Sequence, residues 1–440
     1  MLVGILLLGG IGLSNPSTAE QPVLVPAAPA SIGILNPAIK AGEVDANLLT
    51  DLVTKELGDS RLGGGVTAYV VDANSKKVLV DIKGSQPMIP ASTQKIFTGI
   101  AAMNVLGSET KFATKVMQDK NNLTLVGGGD PTLVSQTPNK WRGKPPGTER
   151  PASLEQLADL TVAAIGTSTE TYTLNFDDSL FAKPKAHESW PDQYVRTGEV
   201  APAQGLTMDF GVDSSDRTLQ DPANSAAQFY VAELVAQGLS VKLGKRSVAS
   251  ESATELARVE SATVTDIVER MVTTSNNTMA EFLAHHLGGT IGEYTFAAGS
   301  EATTQALSDA GIDITGTKIL DGSGLSRDNR TTAKTLVAAL QYSNSSDGPA
   351  WANLSGLPIA GISGTLVDRY EVGEPGRGTV RAKTGTLSKV VTLSGTLVDA
   401  SGDLLIFAFM ANEVPSGTKS GEAALDEVVK AMVQCGCRGA

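Results

Sequence analysis

Two β-rich hairpins lie near opposite ends of this 440-residue chain, and they constrain its fold more than any other feature. The first joins Gly65-Val-Thr-Ala-Tyr-Val-Val to Lys77-Val-Leu-Val-Asp-Ile through the turn cluster Asp72-Ala-Asn-Ser. The second runs Val390-Val-Thr-Leu-Ser-Gly-Thr-Leu-Val, turns at Asp399-Ala-Ser-Gly-Asp403 and returns as Leu404-Leu-Ile-Phe-Ala-Phe-Met. A helix is expected over residues 44–57, before the first hairpin. Another closes the chain, where Ala423, Leu425, Val428, Val429 and Met432 fall at helical spacing. One antiparallel sheet built from both chain ends and flanked by terminal helices is an α+β, three-layer α/β/α arrangement.

The middle of the chain differs. Between about 115 and 250, β-like pieces such as Thr171-Tyr-Thr-Leu-Asn-Phe-Asp are broken by polar, proline-rich loops such as Thr137-Pro-Asn-Lys-Trp-Arg-Gly-Lys-Pro-Pro-Gly. This reads as a smaller, mainly β or α+β domain spanning 115–255. It is inserted between the two parts of the outer domain, 44–114 and 256–440. No internal repeat is apparent. Ahead of them, residues 2–13 form one uncharged apolar run, suited in length to the core of a secretory signal. Ser17-Thr18-Ala19 offers a small-residue cleavage site, so 1–19 reads as a signal peptide and the Pro/Ala-rich residues 20–43 as a tether. No Lys or Arg precedes Lys40, which leaves open whether Met1 is the true start and whether the signal is cleaved. Export to the cell wall or periplasm is expected, with retention at the outer face of the cytoplasmic membrane as a variant of it.

Composition excludes several functions. The chain carries 35 Lys plus Arg against 47 Asp plus Glu, a net charge of −12 that repels a phosphate backbone. Aromatic residues make up 5%, too few to suggest a stacking platform for nucleic acid. Cys435 and Cys437 are the only cysteines, so neither a disulfide framework nor a cysteine zinc site is available. Whether the two pair with each other stays open. His285 and His286 are adjacent, His187 is remote and no His-Glu-x-x-His occurs, so no metal is expected. Gly127-Gly-Gly129 lacks the Gly-Lys-Ser/Thr of a phosphate loop, and no cofactor is expected either.

Three short motifs could do chemistry. Ser92-Thr-Gln-Lys95 opens a helical pattern with Ile96, Ile100 and Met103 on one stripe and Gly107 as its stop. A serine at such a helix start has free backbone N–H groups and the positive dipole end beside its Oγ. Lys95, three residues on, projects from the same side. It can take the serine's proton only if neutral, which at pH 7 requires its pKa to drop by roughly 3 units. Ser-x-x-Lys alone is weak evidence, since a chain this long shows about one or two by chance. Ser416-Gly-Thr-Lys419 is one such decoy, read as lying in a polar loop without a comparable helix start. The second motif, Ser275-Asn276-Asn277, offers a hydroxyl for proton relay and a carboxamide for a substrate amide, or simply a polar helix cap. The third, Lys383-Thr384-Gly385-Thr386, precedes the Val390 run. On an edge strand it offers a cation, hydroxyls and open backbone groups to an extended peptide, with Gly385 permitting close approach.

Together, in this order, the three motifs resemble the signature of penicillin-binding proteins and class A β-lactamases, with Asn276 in place of the aspartate of the β-lactamase form. Ser92 and Ser275 are 275 − 92 = 183 residues apart, more than a compact β-lactamase needs. With Leu125-Val-Gly-Gly-Gly-Asp-Pro-Thr-Leu133, Ser275-Asn-Asn-Thr-Met-Ala-Glu281, Asp321-Gly-Ser-Gly-Leu-Ser-Arg-Asp-Asn329 and Gly361-Ile-Ser-Gly-Thr-Leu366, the chain resembles the D-alanyl-D-alanine carboxypeptidase/endopeptidase family, the class C low-molecular-mass penicillin-binding proteins. The resemblance runs from about 50 to 430. It is weakest at about 134–170 and 212–225, which implies a third lobe that is reduced or absent.

The resemblance implies a transpeptidase-like, β-lactamase-like outer domain and a serine peptidase acting on peptidoglycan stem peptides ending in D-Ala-D-Ala. It also implies acylation by β-lactams, no cofactor and no nucleic-acid partner, and it leaves the oligomeric state open. In roles, it implies Ser92 as nucleophile, Lys95 as its base and Ser275 as the relay to the leaving amine. Asn277, Lys383, Thr384, Gly385 and Thr386 would bind substrate, with Lys383 also lowering the pKa of Lys95. The backbone N–H groups of Ser92 and Thr386 would form the oxyanion hole. A serine β-lactamase and a non-catalytic muropeptide-binding protein are the alternatives. Against the first, none of Glu281, Glu293, Glu301, Glu371 and Glu374 has an asparagine four residues later.

Overall fold

The computed structural model describes residues 43–136, 151–215, 217–345, 348–415 and 417–438. The apolar run 2–13, its cleavage site, the tether and the whole proline-rich loop at 137–147 lie outside the described residues, as does Ser416. Among the described residues, ten strands form two sheets: β1 (Gly65–Asp72), β2 (Val78–Ile82), β3 (Ala113–Asp119), β4 (Asn122–Val126), β5 (Thr171–Asp177), β6 (Ser240–Arg246), β7 (Thr254–Glu260), β8 (Arg381–Leu387), β9 (Val390–Val398) and β10 (Leu404–Asn412).

The first sheet has the order β2-β1-β10-β9-β8 and is antiparallel throughout. Both terminal hairpins meet at β1 and β10, where Ala68 pairs with Phe409 and Val70 with Phe407. Along β10 the side chains alternate between two cores, as the two-residue period of a strand requires. Leu405, Phe407 and Phe409 face the helices Ala46–Leu57 and Thr418–Gln434, packing with Leu49, Val53, Val428, Val429 and Met432. Ile406, Ala408 and Met410 face the opposite layer, which holds Ile96, Ile100, Met271, Leu283 and Leu336. The three-layer expectation therefore holds. Leu425, Val428, Val429 and Met432 are buried as their spacing predicts, but Ala423 is exposed and its neighbour Ala424 faces inward instead.

The second sheet, β6-β5-β4-β3-β7, mixes antiparallel β3–β4 and β3–β7 pairs with parallel β4–β5 and β5–β6 pairs. Leu123, Leu125, Leu174 and Phe176 pack beneath the helices Leu154–Ile165 and Pro222–Ala236, which carry Leu157 and Tyr230 into the same core. Cys435 and Cys437 form a disulfide, and the Cys437 carbonyl accepts from the Asp45 amide at 2.8 Å, pinning the chain's end to the first helix. Among the described residues, no helix is long and apolar enough to cross a membrane.

Two buried imidazoles lie near the junction of the sheets. The His286 ring stacks on Phe112 at 3.8 Å and bonds the Gly129 carbonyl at 3.0 Å, while His285 Nδ1 bonds the Glu281 carbonyl at 2.8 Å. Burial pushes each from 6.5 down to about 4. The unfolded chain then binds more protons between these values, so each ring's contribution is present above pH 6.5 and is lost as pH falls through 4. It amounts to about 3 kcal/mol per ring. Asp130 and Glu281 are raised by burial and titrate in the opposite sense, so the effect is read as a difference. Between these pH values wild type should lose about 3 kcal/mol more than His286→Gln in urea denaturation. Equal losses would mean that the ring is not held neutral.

Candidate active site

A single 3-10 turn, Ala91–Gln94, leads into the α-helix Lys95–Ala101 and a π turn, Ala102–Leu106, before Gly107 stops the run at φ 91°. Ile96, Ile100 and Met103 are buried as their spacing predicts, and this anchors the turn that carries Ser92. Ala91 sits at φ 47°, a strained backbone for alanine, directly ahead of the serine. Lys95 is fully buried, and its Nζ donates to Ser92 Oγ at 2.8 Å, Asn277 Oδ1 at 2.7 Å and the Ser323 carbonyl at 2.8 Å.

Ser275-Asn276-Asn277 joins two helices, Val264–Thr274 and Asn277–Thr290. The cap reading is correct for Asn276, whose side chain accepts from the Met279 amide at 2.8 Å. The residues on either side of it point into the site. Ser275 is held left-handed at φ 58°, and its Oγ accepts from Lys383 Nζ at 2.8 Å. Asn277 meets Lys95 through its oxygen, while its Nδ2 donates to the Glu199 carbonyl at 2.7 Å. The segment between β5 and β6 thus reaches the site.

Lys383 lies on β8, which is the sheet's edge, and its Nζ also donates to the Thr384 carbonyl at 2.8 Å. A Cβ on Gly385 would come within 2.2 Å of Thr392 Oγ1 and 3.0 Å of the Ser92 nitrogen. Glycine therefore lets the edge strand close onto the start of the nucleophile turn. The Thr384 and Thr365 hydroxyls bond at 2.8 Å, and the exposed Thr386 hydroxyl donates to Glu422. Ser92, Ser275, Asn277, Thr384 and Thr386 line one open cleft of about 600 Å³, with Arg369 on its wall. All eight residues singled out from the sequence lie at or directly behind this cleft.

The electrostatics follow from burial. Desolvation pushes Lys95 from 10.5 down to about 7, against the opposing pull of Glu281 and Asp321. Lys383 is held well below its ordinary value by burial first and then by the Lys95 charge. The expected direction, in which Lys383 depresses Lys95, is therefore not what dominates at Lys95: loss of water does.

Several polar groups at the site escaped the sequence reading. Ser323 supplies only a backbone carbonyl, which no side-chain pattern announces. Thr365 and Glu422 reach Thr384 and Thr386 from remote segments. Glu281 stands one helical turn after Asn277, a spacing that could have flagged it. The decoy also needs correction: Lys419 lies in the first turn of the closing helix, not in a loop, and Thr418 borders the cleft.

Comparison with known proteins agrees with this constellation. The model of the D-Ala-D-Ala carboxypeptidase 3 (S13) family matches residues 49–216 and 212–435. A carboxypeptidase of Mycobacterium tuberculosis is 30% identical over 441 residues, covering 97% of this chain and 91% of that protein. The D-alanyl-D-alanine carboxypeptidase of an Actinomadura species is 29% identical over 471 residues, covering 89% and 86%. Among solved structures, penicillin binding protein 4 of Haemophilus influenzae shares the fold at TM-score 0.71 and 20% identity, covering 86% of this chain and 99% of that one. With a serine and a buried lysine in contact at the head of its cleft, and with both family matches running nearly end to end, this chain belongs to the S13 family of serine-type D-Ala-D-Ala carboxypeptidases.

Proposed function

We propose that this protein hydrolyses peptidoglycan stem peptides ending in D-Ala-D-Ala through an acyl-enzyme on Ser92, and that β-lactams acylate the same oxygen. The observation that carries this reading is the 2.8 Å contact between Ser92 Oγ and an amine whose pKa burial has brought to about 7. Ser92 Oγ attacks the carbonyl of the penultimate D-alanine, and its proton passes to Lys95 Nζ. The N–H groups of Ser92 and Thr386 receive the developing oxyanion. As the C–N bond breaks, the departing amine takes a proton through Ser275, which Lys383 orients, and the terminal D-alanine leaves. Water then attacks the ester, restoring Ser92 and releasing the shortened peptide. Asn277 orients Lys95 and the substrate backbone, while Thr384 and Thr386 accommodate the terminal carboxylate.

The 115–255 unit adds the Glu199 contact to the site and gives the cleft a wall that a long stem peptide would meet. The apolar run at 2–13 and the disulfide at Cys435 support action in an oxidising, extracytoplasmic compartment. A solved relative of this fold, the Haemophilus influenzae protein, has been crystallised with a β-lactam.

Purified protein incubated with fluorescent penicillin and, separately, with a peptide ending in D-Ala-D-Ala tests the reading. A lasting labelled band together with released D-alanine is expected. Rapid drug turnover without lasting label would make it a β-lactamase. Neither label nor released D-alanine would make it a binding protein.

A further inference from the structure

Behind Lys95 lies a carboxyl that the proposed reaction does not use. Glu281 is 1% exposed and projects from the helix that begins with Asn277. Its Oε1 accepts from the Ser323 amide at 2.8 Å and its Oε2 from the Gly322 amide at 3.1 Å. The same short turn is gripped from its other side by the nucleophile helix. Gln94 Nε2 donates to the Asp321 carbonyl at 3.1 Å, Thr98 Oγ1 to the Gly322 carbonyl at 2.6 Å and Lys95 Nζ to the Ser323 carbonyl at 2.8 Å. Three consecutive carbonyls thus face the lysine helix, and two amides between them face one carboxyl. Gly322 and Gly324 have no room for a side chain, since a Cβ would meet the Ala280 carbonyl at 2.4 Å and the Ala91 carbonyl at 1.9 Å. At the two glycines the turn can be fastened only through its backbone.

We propose that Glu281 is a positioning residue for the general base: it holds the Ser323 carbonyl against Lys95 and balances the charge that Lys95 acquires when it takes the proton of Ser92. This rests on the acyl-enzyme reading above. Four ionisable groups bear on it. Lys95 faces it across Ser323, and Lys383, beyond Lys95, is lowered in turn by the Lys95 charge. Asp321 is tied by Trp190 Nε1, Asn329 Nδ2 and the Gly324 and Ser326 amides. His285, on Glu281's own helix, bonds its carbonyl. Burial and the Asp321 charge raise Glu281 to about 8, while Glu281 in turn favours the proton on Lys95. When Lys95 takes the proton of Ser92, its neutral amine becomes an ammonium; with Glu281 ionised this turns a carboxylate beside an amine into an ion pair across Ser323, and the carboxyl itself neither gains nor loses a proton. Removing the carboxyl leaves that ammonium without its counter-charge, so Lys95 should hold its proton less tightly and the transfer should become less favourable.

The test is the pH profile of acylation by fluorescent penicillin, from about pH 5 to 9, for wild type, Glu281→Gln and Glu281→Asp. In Glu281→Gln the plateau should fall at least tenfold and the acid limb should move at least about half a unit lower, because the carboxamide has no charge and only one acceptor oxygen. In Glu281→Asp the plateau should also fall about tenfold, since the shorter side chain cannot span both amides, but the limb should stay near that of wild type. A Glu281→Gln limb coincident with wild type would reduce Glu281 to a structural clamp and overturn the charge-balancing role. If Glu281→Gln does not fold, Glu281→Asp decides: a wild-type plateau overturns the proposal, and a lowered plateau with a retained limb supports it. Failure of wild type to take the label would instead strike the acyl-enzyme reading itself.

Discussion

Ser92→Ala should give a folded protein that takes no penicillin label and releases no D-alanine, a loss of at least about 10⁴-fold in acylation. The size of the loss follows from the neighbours. Thr93 is buried with its hydroxyl given to the Pro90 carbonyl at 2.7 Å, and the Ser275 oxygen is held by Lys383. Neither can take the place of Ser92 against the same carbonyl. Stability should barely change. Ser92 Oγ contributes one hydrogen bond, worth about 1 kcal/mol, and Lys95 keeps its acceptors on Asn277 and Ser323. Intact-mass spectrometry after incubation with penicillin, set beside a thermal melt, reads both outcomes. A full adduct on a protein lacking this hydroxyl would move the nucleophile to another serine.

How far the site was legible depends on what kind of group each residue contributes. Ser92, Lys95, Ser275, Asn277 and Lys383 act through side chains at short fixed spacings, and such spacings survive in sequence because a helix turn or a strand enforces them. The central sheet was legible for a similar reason: β1, β2, β9 and β10 are joined as local hairpins by short turns, so their pairings are recorded in adjacent sequence. The pairing of β1 with β10 is not local, and only the need to bury both hairpins pointed to it. The second sheet was harder. Its β4–β5 and β5–β6 pairs are parallel, and parallel neighbours need long crossovers that leave no turn signature. The Ser323 carbonyl and the Gly322 and Ser323 amides were invisible for a different reason. Every residue has those groups, and only tertiary structure selects the few that face a lysine. How far desolvation alone depresses Lys95 was not legible either, because desolvation depends on burial depth, which a motif does not encode.

Lys95→Met separates catalysis from folding at the same site. Acylation should fall by about 10²- to 10⁴-fold, the usual contribution of a positioned general base. The profile should change shape as well. In wild type only the neutral amine can accept the proton of Ser92. With Lys95 at about 7, acylation should therefore fall tenfold for each unit below that pH, and this limb should vanish in the variant. Stability should move far less, and two opposing effects show why. The substitution orphans the Asn277 and Ser323 oxygens, at about 1 to 3 kcal/mol each. It also removes an amine whose folded pKa lies below its unfolded value of 10.5, so that the unfolded chain binds more protons and is favoured at pH 7 by roughly 5 kcal/mol. That penalty shrinks as pH rises from 7 towards 10.5, and Lys95→Met escapes it at every pH. Near neutrality the two effects are of equal order, so wild type and variant should unfold within about 2 kcal/mol of each other. At pH 10 wild type should be the more stable, because its penalty has mostly gone while the variant still carries the orphaned oxygens. Urea denaturation at pH 7 and 10, beside the acylation profile, measures both. If the acid limb persists in the variant, Lys95 is not the group whose neutrality the reaction requires, and the amine beside Ser275 becomes the next to test.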